Sequence, residues 1–357
     1  MFNLIINLCE KHGFLRKIAS SKLNSDQLKV GPIGTLLLHN LKKEWHYNFV
    51  TNKENTVFLA DNGSFIEAFQ FARNICMERL PFGIAEIQEN KSELSKENIM
   101  CKEVDFNNYF SDEDKVNLKC SIFVSSVHST QFFHQWQRQR RIWWRKFSPN
   151  PGRYSITDIK TDENNIQTVQ IMATYPWNSQ LVETILLYPK PKEAILEASK
   201  FKDGKKIVQS HCVVSNISLN AMFMNTICDA YDESTYKGKV RTLLRFHRKI
   251  APYSITFAIF AEGVASNRSE LKDLALYLTK QLRSNHLSTL LLPSSSKLPL
   301  QVQWRQYDEL GVPYSVLLNE RTLKDGLVLL RSRDTTLEEQ VHVSELVAYM
   351  EQLFKNY

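Results

Sequence analysis

Three arginines near the middle of the chain are spaced so that they could contact phosphate groups from one side of a helix. Arg138, Arg141 and Arg145 recur at intervals of three and four residues within the segment STQFFHQWQRQRRIWWRKF (129–147). At that spacing their side chains project from one face of an α-helix. Such a face is suited to the phosphate backbone of a nucleic acid, which positions a protein without specifying sequence. Salt bridges to neighbouring acids would explain the same pattern.

A second basic block follows about one hundred residues later. The formal net charge is only +7, but no Asp or Glu occurs between Asp114 and Asp158 or between Glu233 and Glu262. Two acid-free basic stretches are typical of a nucleic-acid footprint. A solvated basic face without a ligand fits the composition equally well. The DNA-binding candidates of the second block are Arg241, Arg245, Arg248 and Lys249.

The sequence contains none of the common catalytic signatures. There is no glycine-rich phosphate loop, no G-x-S-x-G and no H-E-x-x-H, and the nine histidines are dispersed. The six cysteines form no C-x-x-C pair, which argues against a zinc site or a disulfide framework and favours a reducing compartment. We therefore expect no catalytic residues, no metal and no cofactor.

The elements that must position the arginines can be predicted from apolar periodicity. Aromatic residues alternate with the basic stripe of 129–147 and define a second helical face, made of Phe133, Trp136, Arg140, Trp143 and Phe147. Strict helical register indicates that these aromatics are core residues and not base-stacking platforms. Since Arg140 lies on this apolar face, we expect it to be a buried structural partner.

The last hundred residues alternate between strand and helix patterns. Gly311 is suited to end a helix that carries Leu300, Trp304, Tyr307 and Leu310, and Val312–Leu318 and 326–330 are rich in strand-forming residues. The polar run 319–325 between them is typical of a turn, and Ser344 can cap a last helix. Together with a buried strand at 254–260, the pattern predicts an α/β domain with a mostly parallel sheet.

Several of these segments resemble one family. GVPYSVLLNERTLKDGLVLLRSRDTT (311–336) resembles the anticodon-binding domain of class II aminoacyl-tRNA synthetases of the glycyl type. The run LRSRDTT and the pattern W-x-R-x-R-x-x-W-W-R-K-F resemble more closely the accessory subunits of mitochondrial DNA polymerase gamma, which descend from those synthetases. GPIGTLLLHNLKKEW (31–45) and YPWNSQLVETILLYP (175–189) extend the resemblance over nearly the whole chain.

The resemblance implies an α+β fold in two domains. Residues 1–250 would form a class II synthetase-like body built on an antiparallel sheet, and residues 251–357 an anticodon-binding-like α/β domain that docks on the polymerase. In vertebrate accessory subunits a helical insertion after the second helix builds a homodimer. Here only residues 47–79 are available, so we expect a monomer in a one-to-one heterodimer.

The resemblance also speaks against catalysis. In the synthetases two arginines hold ATP, one soon after the strand at 80–87 and one in the helix near Ala221. No arginine occurs between Arg79 and Arg138, and no arginine or glycine occurs from Ile207 to Tyr236. A lysine cannot replace a bidentate arginine clamp. A divergent glycyl-type tRNA synthetase and a non-catalytic tRNA-binding protein remain the alternatives.

By resemblance, the chain would bind the catalytic subunit and double-stranded primer–template DNA and slow the release of DNA. It would act in the mitochondrial matrix, in the nucleoid, and no apolar run is long enough for a membrane span. We expect Arg331 and Arg333 to be exposed because charged residues that end a strand usually are, whereas Leu327 and Leu329 could equally be sheet core. The polymerase-binding candidates are Gly326, Leu327, Leu329, Arg331, Ser332 and Arg333.

Overall fold

The computed structural model of the chain describes residues 1–18, 27–89, 106–111, 114–191, 195–203, 206–236, 238–261, 265–293 and 295–355. They form two compact units. Unit 1 comprises Met1–Leu15, Val30–Asn40 and Ile227–Tyr357, and unit 2 comprises Arg16–Lys29 and Leu41–Thr226. The domain division expected at residue 250 stays a prediction.

The helices predicted at 129–147, before Gly311 and after Ser344 are present. A short π-helix, Tyr47–Thr51, directly follows the second α-helix. None of the described helices combines the length and the apolar character that crossing a membrane requires. The α-helices of the described residues are α1 (Phe2–Lys11), α2 (Pro32–His46), α3 (Phe65–Ile75), α4 (Ser129–Lys146), α5 (Leu219–Ala230), α6 (Ala265–Ser284), α7 (Leu300–Glu309), α8 (Glu320–Asp325) and α9 (Leu346–Lys355).

Unit 2 is built on one large sheet, which is antiparallel except for its first pair. The strand order is β3-β4-β5-β11-β9-β8-β6, where β3 and β4 run parallel, and β10 and β7 pair with β11 and β8. This is the antiparallel-sheet body that the sequence predicts. The strands up to this point are β1 (Leu15–Ile18), β2 (Gln27–Val30), β3 (Val57–Ala60), β4 (Phe82–Glu89), β5 (Val116–Ser125), β6 (Tyr154–Ile156), β7 (Lys160–Thr161), β8 (Gln167–Thr174), β9 (Ser179–Tyr188), β10 (Lys200–Asp203) and β11 (Lys206–Ser218).

Helix α4 buries the aromatic face that its spacing predicts. Phe133, Trp136 and Trp143 are almost completely inaccessible, and Phe147 at the end of the stripe is half-buried. Burying large aromatic side chains contributes much of the packing energy of a core. The position of α4 on the sheet is therefore determined by its apolar stripe, and of the three stripe arginines it leaves Arg138 exposed.

Unit 1 contains a hairpin and a five-stranded sheet. The hairpin joins β12 (Tyr231–Tyr236) to β13 (Lys239–Leu244). The sheet has the order β15-β14-β16-β17-β18, with ranges Thr289–Leu290, Ile255–Ile259, Tyr314–Leu318, Leu327–Ser332 and Glu338–His342. Helices lie on both faces of β14, so all five of its residues are buried, as its continuous apolar run predicts.

The expectation of a mostly parallel sheet is wrong for half of this sheet. β14 is parallel to both β15 and β16, but β16 with β17 and β17 with β18 are antiparallel. The long helices α6 and α7 provide the crossovers that parallel neighbours need. Only the short α8 separates β16 from β17, so the chain reverses direction there.

One local prediction also needs correction. The polar run 319–325 is not a turn but helix α8, because Asn319 caps it: its side chain accepts from the backbone N–H groups of Arg321 and Thr322. Helix α1 ends at Lys11. There Gly13 adopts φ +72°, and the N–H of Phe14 donates to the carbonyl of Cys9 at 2.8 Å.

Candidate functional site

Helix α4 exposes its arginine stripe only in part. Arg138 is exposed, whereas Arg141 and Arg145 are half-buried. Nη2 of Arg145 donates a hydrogen bond of 3.1 Å to the carbonyl oxygen of Tyr154, which begins β6. The guanidinium of Arg138 is therefore the member of the stripe that is most open to a phosphate group.

Arg140, on the other side of α4, is fully buried, which confirms the expectation of an internal partner. Its Nε donates to both carboxylate oxygens of Glu183 at 2.9 and 3.2 Å, and its Nη1 donates to Oδ1 of Asn48 at 2.8 Å. Glu183 also accepts hydrogen bonds from Nε1 of Trp144 at 2.7 Å and Oγ of Ser215 at 2.5 Å. This buried pair joins α4 to β9 and β11, so its role is to hold the helix on the sheet.

The second basic block is largely engaged within unit 1. Each of its arginines donates to an oxygen atom of the same unit: Arg241 to Asp308 at 2.7 Å, Arg245 to Asp232 at 2.7 Å, and Arg248 to the main-chain carbonyl of Leu353 at 2.5 Å. Lys249 is half-buried. Guanidinium groups that already have partners contribute less charge to a bound polyanion. The geometry therefore favours α4 over this block as an electrostatic surface.

The expectation that Arg331 and Arg333 are exposed is wrong. Arg331 is 5% exposed, and its Nη1 and Nη2 donate to the two carboxylate oxygens of Asp308, both at 3.0 Å. Arg333 is 2% exposed, and its two terminal nitrogens donate to the carbonyl oxygens of Gly311 at 2.7 Å and Phe246 at 2.9 Å. The reason is that α7 and the chain after β13 pack against this end of β17 and supply the acceptors.

Two carboxylates connect the arginines of the second basic block to Arg331 and Arg333. They belong to Asp308 and Asp334. Asp308 accepts from Arg241 as well as Arg331, and Asp334 accepts from Arg245 as well as Arg333. Burial alone raises the pKa of Asp334, but the guanidinium groups around it outweigh that effect and hold its pKa below the ordinary 3.8. This network, which we call the arginine lock, ties the β12–β13 hairpin to β17. The sequence analysis named all four of its arginines as binding candidates but neither of its acids.

Asp308 could have been found from helical spacing. It lies four residues after Trp304, so both side chains share one face of α7. The guanidinium of Arg331 lies 5.1 Å from the ring centroid of Trp304, and Asp308 is 2% exposed. An acid on the predicted apolar face of a helix indicates a buried cation nearby.

The remaining polymerase-binding candidates have mixed environments. Gly326 ends α8 with φ +68°, and an added Cβ would come within 2.5 Å of Nε2 of His342. The role of Gly326 is therefore to let the backbone turn at the end of the helix. Leu327, Leu329 and Ser332 are half-buried. Leu329 packs against the core cluster that contains Ala258, Tyr307 and Leu317, which fits the alternative of ordinary sheet core.

The accessible part of the LRSRDTT segment is the turn after the arginines. The carboxyl side chain of Asp334 is half exposed, Thr335 is exposed, and Leu337 is 69% exposed. The turn is held in place because the N–H of Ser332 donates to the carbonyl of Leu337 at 3.0 Å. The turn therefore presents Leu337 to solvent, although a single exposed leucine is ordinary on a protein surface.

The sheet of unit 2 has a cavity of about 40 Å³ on one face, with aromatic, thiol and hydroxyl groups around it. Its cationic lining residue is Lys119, whose Nζ lies 3.9 Å from Oε2 of the buried Glu86. Ala221, near the second ATP-gripping position, is 2% exposed. The segment after β4 that would carry the first such arginine lies outside the described residues. The described lining therefore offers an ammonium beside a carboxylate and no guanidinium clamp.

The described histidine, cysteine and acidic side chains do not gather into a group of three or more that could hold a metal ion. Cys9, Cys76, Cys120, Cys212 and Cys228 are reduced cysteines, whereas Cys101 lies outside the described residues. Burial raises the pKa of both Cys9 and Cys120 to about 12. These two thiols are protonated at neutral pH and are poor nucleophiles.

Comparison with known proteins points to two related groups. The family description "Anticodon binding domain" matches residues 259–353. The chain is 30% identical over 252 residues to DNA polymerase subunit gamma-2, mitochondrial, of Drosophila melanogaster, covering 68% of each chain. It is 28% identical over 299 residues to DNA polymerase subunit gamma-2 of Mus musculus, covering 79% of this chain and 61% of the mouse protein.

A glycine–tRNA ligase of Borreliella burgdorferi is 23% identical over 338 residues, which cover 89% of this chain and 71% of the ligase. The match is more distant but longer, and it includes both units. The synthetase-like fold therefore extends through the chain. Against the gamma-2 proteins of mouse and Xenopus laevis, the chain spans 61% and 50% of the relative's length.

Proposed function

This chain belongs to the family of mitochondrial DNA polymerase gamma accessory subunits, and from that premise we propose that it is a non-catalytic processivity subunit of the mitochondrial replicative polymerase. It would bind the catalytic subunit and double-stranded primer–template DNA in the matrix nucleoid, as a monomer in a one-to-one heterodimer. The observation that carries this proposal is the 30% identity to the fly subunit over two thirds of both chains.

In this proposal the DNA contact is electrostatic and centres on α4. Arg138 is exposed, while Arg140 is held inside by Glu183 and keeps the helix on the sheet. Contacts to phosphates release counterions, so affinity should fall steeply with salt and should not depend on sequence. Attachment to the polymerase and to DNA at once raises the effective concentration of each at the other and slows release of DNA.

We place the proposed polymerase contact in segment 326–337, but on the turn after the two arginines and not on the arginines themselves. Buried Arg331 and Arg333 would shape this surface from beneath, and the exposed turn that carries Leu337 would make the contact. A domain of 251–357 that docks on the polymerase is compatible with this surface. Arg331 and Arg333 then act through the arginine lock and not by touching the partner.

The alternative is a glycyl-type tRNA synthetase or a non-catalytic tRNA-binding relative, which the long match to the glycine–tRNA ligase favours. The non-catalytic reading is supported by the sequence, which has no arginine between Arg79 and Arg138 and none from Ile207 to Tyr236, where the synthetases hold ATP. Glycine-dependent charging of tRNA by the purified chain would contradict the non-catalytic proposal and support the synthetase alternative.

The first test is the mass of the chain alone and with its cognate catalytic subunit, by size exclusion with light scattering. We expect a monomer and a one-to-one complex; absence of a complex would refute the partner assignment.

DNA binding is measured separately across salt concentrations. Arg138→Ala should make the slope of log affinity against log salt shallower by about one. Arg321→Ala, which alters another exposed arginine, should leave the slope unchanged.

A further inference from the structure

Lys53 lies against α4 in an environment that compensates its charge poorly. Its Nζ is 4.4 Å from the ring centroid of Trp136 and 6.0 Å from that of Phe49. Its hydrogen bond to Oε1 of Gln139 is long, at 3.4 Å. The side chain is half-buried and Gln139 is exposed, so solvent reaches this part of the helix surface. Among the described residues no carboxylate lies within ion-pair distance of this ammonium.

The charged groups around Lys53 do not replace the missing carboxylate partner. The guanidinium of Arg140 lies 4.0 Å from the ring centroid of the same Phe49. The nearby acids are Glu54, which is exposed, and Glu183, whose oxygens accept four hydrogen bonds from α4 and β11. The remaining titratable neighbour, Cys120, has a pKa of about 12 and is therefore neutral.

Burial first, and then repulsion from Arg140, lower the pKa of Lys53 to about 8 from the ordinary 10.5. The attraction of the Trp136 ring for the ammonium opposes this change, but it replaces neither the lost hydration nor a missing carboxylate. A lysine that is partly desolvated beside another cation is a known way to activate an amine as a nucleophile.

We propose that Lys53 is an acylation site, at which the amine that lies over the ring of Trp136 takes an acyl group from a thioester. The Nζ lone pair attacks the thioester carbonyl carbon and forms the C–N bond. The C–S bond breaks, the thiolate leaves, and the proton lost by nitrogen passes to the thiolate or to water. The product is an uncharged amide, which removes the repulsion with Arg140 and keeps an N–H to donate to Gln139.

The expected selectivity follows from the fraction of neutral amine. At pH 7.5 about a quarter of a group with a pKa of 8 is neutral, against about one part in a thousand for an ordinary lysine. Lower basicity and partial burial each reduce the advantage. We therefore expect Lys53 to react about tenfold faster than an exposed lysine such as Lys43.

The experiment measures the acylation rate of each lysine in the folded full chain, incubated with acetyl-coenzyme A at pH 7.5, by quantitative peptide mass spectrometry. In the wild type, Lys53 should react about tenfold faster than Lys43, with a rate that levels off above a pH of about 8. Gln139→Glu places a carboxylate beside Nζ and should bring Lys53 to the rate of Lys43. Gln135→Glu, one turn earlier on the exposed side of α4, is the matched control and should leave the rate unchanged.

Two results would overturn the proposal. One is a wild-type Lys53 that reacts no faster than Lys43. The other is an equal loss of rate in Gln139→Glu and Gln135→Glu, because that would reflect general surface charge and not the local site. Circular dichroism of each variant verifies that the fold is retained. The readout depends on one amine only, so it is independent of whether the chain binds a polymerase or DNA.

Discussion

Asp308→Asn should destabilise unit 1 more than any exposed charge substitution. The wild-type carboxylate accepts two hydrogen bonds of 3.0 Å from Arg331 and one of 2.7 Å from Arg241, and Asp308 is 2% exposed. The asparagine side chain keeps one oxygen acceptor but loses the negative charge. The guanidinium of Arg331 then remains in the interior without its carboxylate partner, and that of Arg241 loses its ion pair.

The size of the effect follows from that geometry. Each charge-assisted hydrogen bond contributes about 1.5–3 kcal/mol, but such contributions do not add within one network. Breaking a buried ion pair by removing one partner costs about 3–5 kcal/mol. We expect Asp308→Asn to lower the free energy of unfolding by about 3–5 kcal/mol, which is a large part of the roughly 5–15 kcal/mol of a typical protein.

Urea unfolding followed by circular dichroism measures this loss, and hydrogen exchange locates it, since the amides of β17 should lose protection first. The matched control is Asp325→Asn, which removes the exposed partner of Arg321 at 3.3 Å and should cost no more than about 0.5 kcal/mol. The reasoning is refuted if Asp308→Asn lies within about 1 kcal/mol of the wild type with β17 still protected. The two guanidinium groups would then find other acceptors.

Three further predictions concern other parts of the chain. Glu183→Gln should lower the free energy of unfolding by about 3–5 kcal/mol, measured by urea unfolding, because it leaves the buried guanidinium of α4 uncompensated. Burial raises the pKa of Glu309, but its hydrogen bonds with His12 and Lys11 outweigh this and hold the pKa below 4.5. The carboxylate should therefore stabilise the fold fully above that pH and less in acid, so the stability difference between wild type and Glu309→Gln should shrink as pH falls from about 6 to 3. Gly326→Ala should cost more stability in thermal unfolding than Gly63→Ala, because both have positive φ and lose about 1–2 kcal/mol to strain, but only at Gly326 would the new Cβ meet His342, at 2.5 Å.

Local patterns were enough to locate most of the elements. The aromatic spacing in 129–147 predicts both α4 and its buried face, and the apolar run at 254–260 predicts a strand covered on two sides, because both depend on the period of a single element. The error at 319–325 has a different cause. The polarity of this run indicates a turn, but Asn319 caps its first residues and allows them to form a short helix. The antiparallel half of the second sheet also could not be predicted, since strand pairing depends on contacts that are distant in sequence.

The sequence by itself determined which residues carry charge, and which of them share a face with apolar side chains. That was enough to place Arg140 in the interior, because its position on α4 follows from helical period. Only the tertiary structure decided where Arg331 and Arg333 point. Both end a strand, where exposure is the usual outcome, but α7 brings Asp308 and the carbonyl of Gly311 to meet them. A guanidinium is buried only where acceptors are already placed to satisfy it, and those acceptors belong to other elements of the chain.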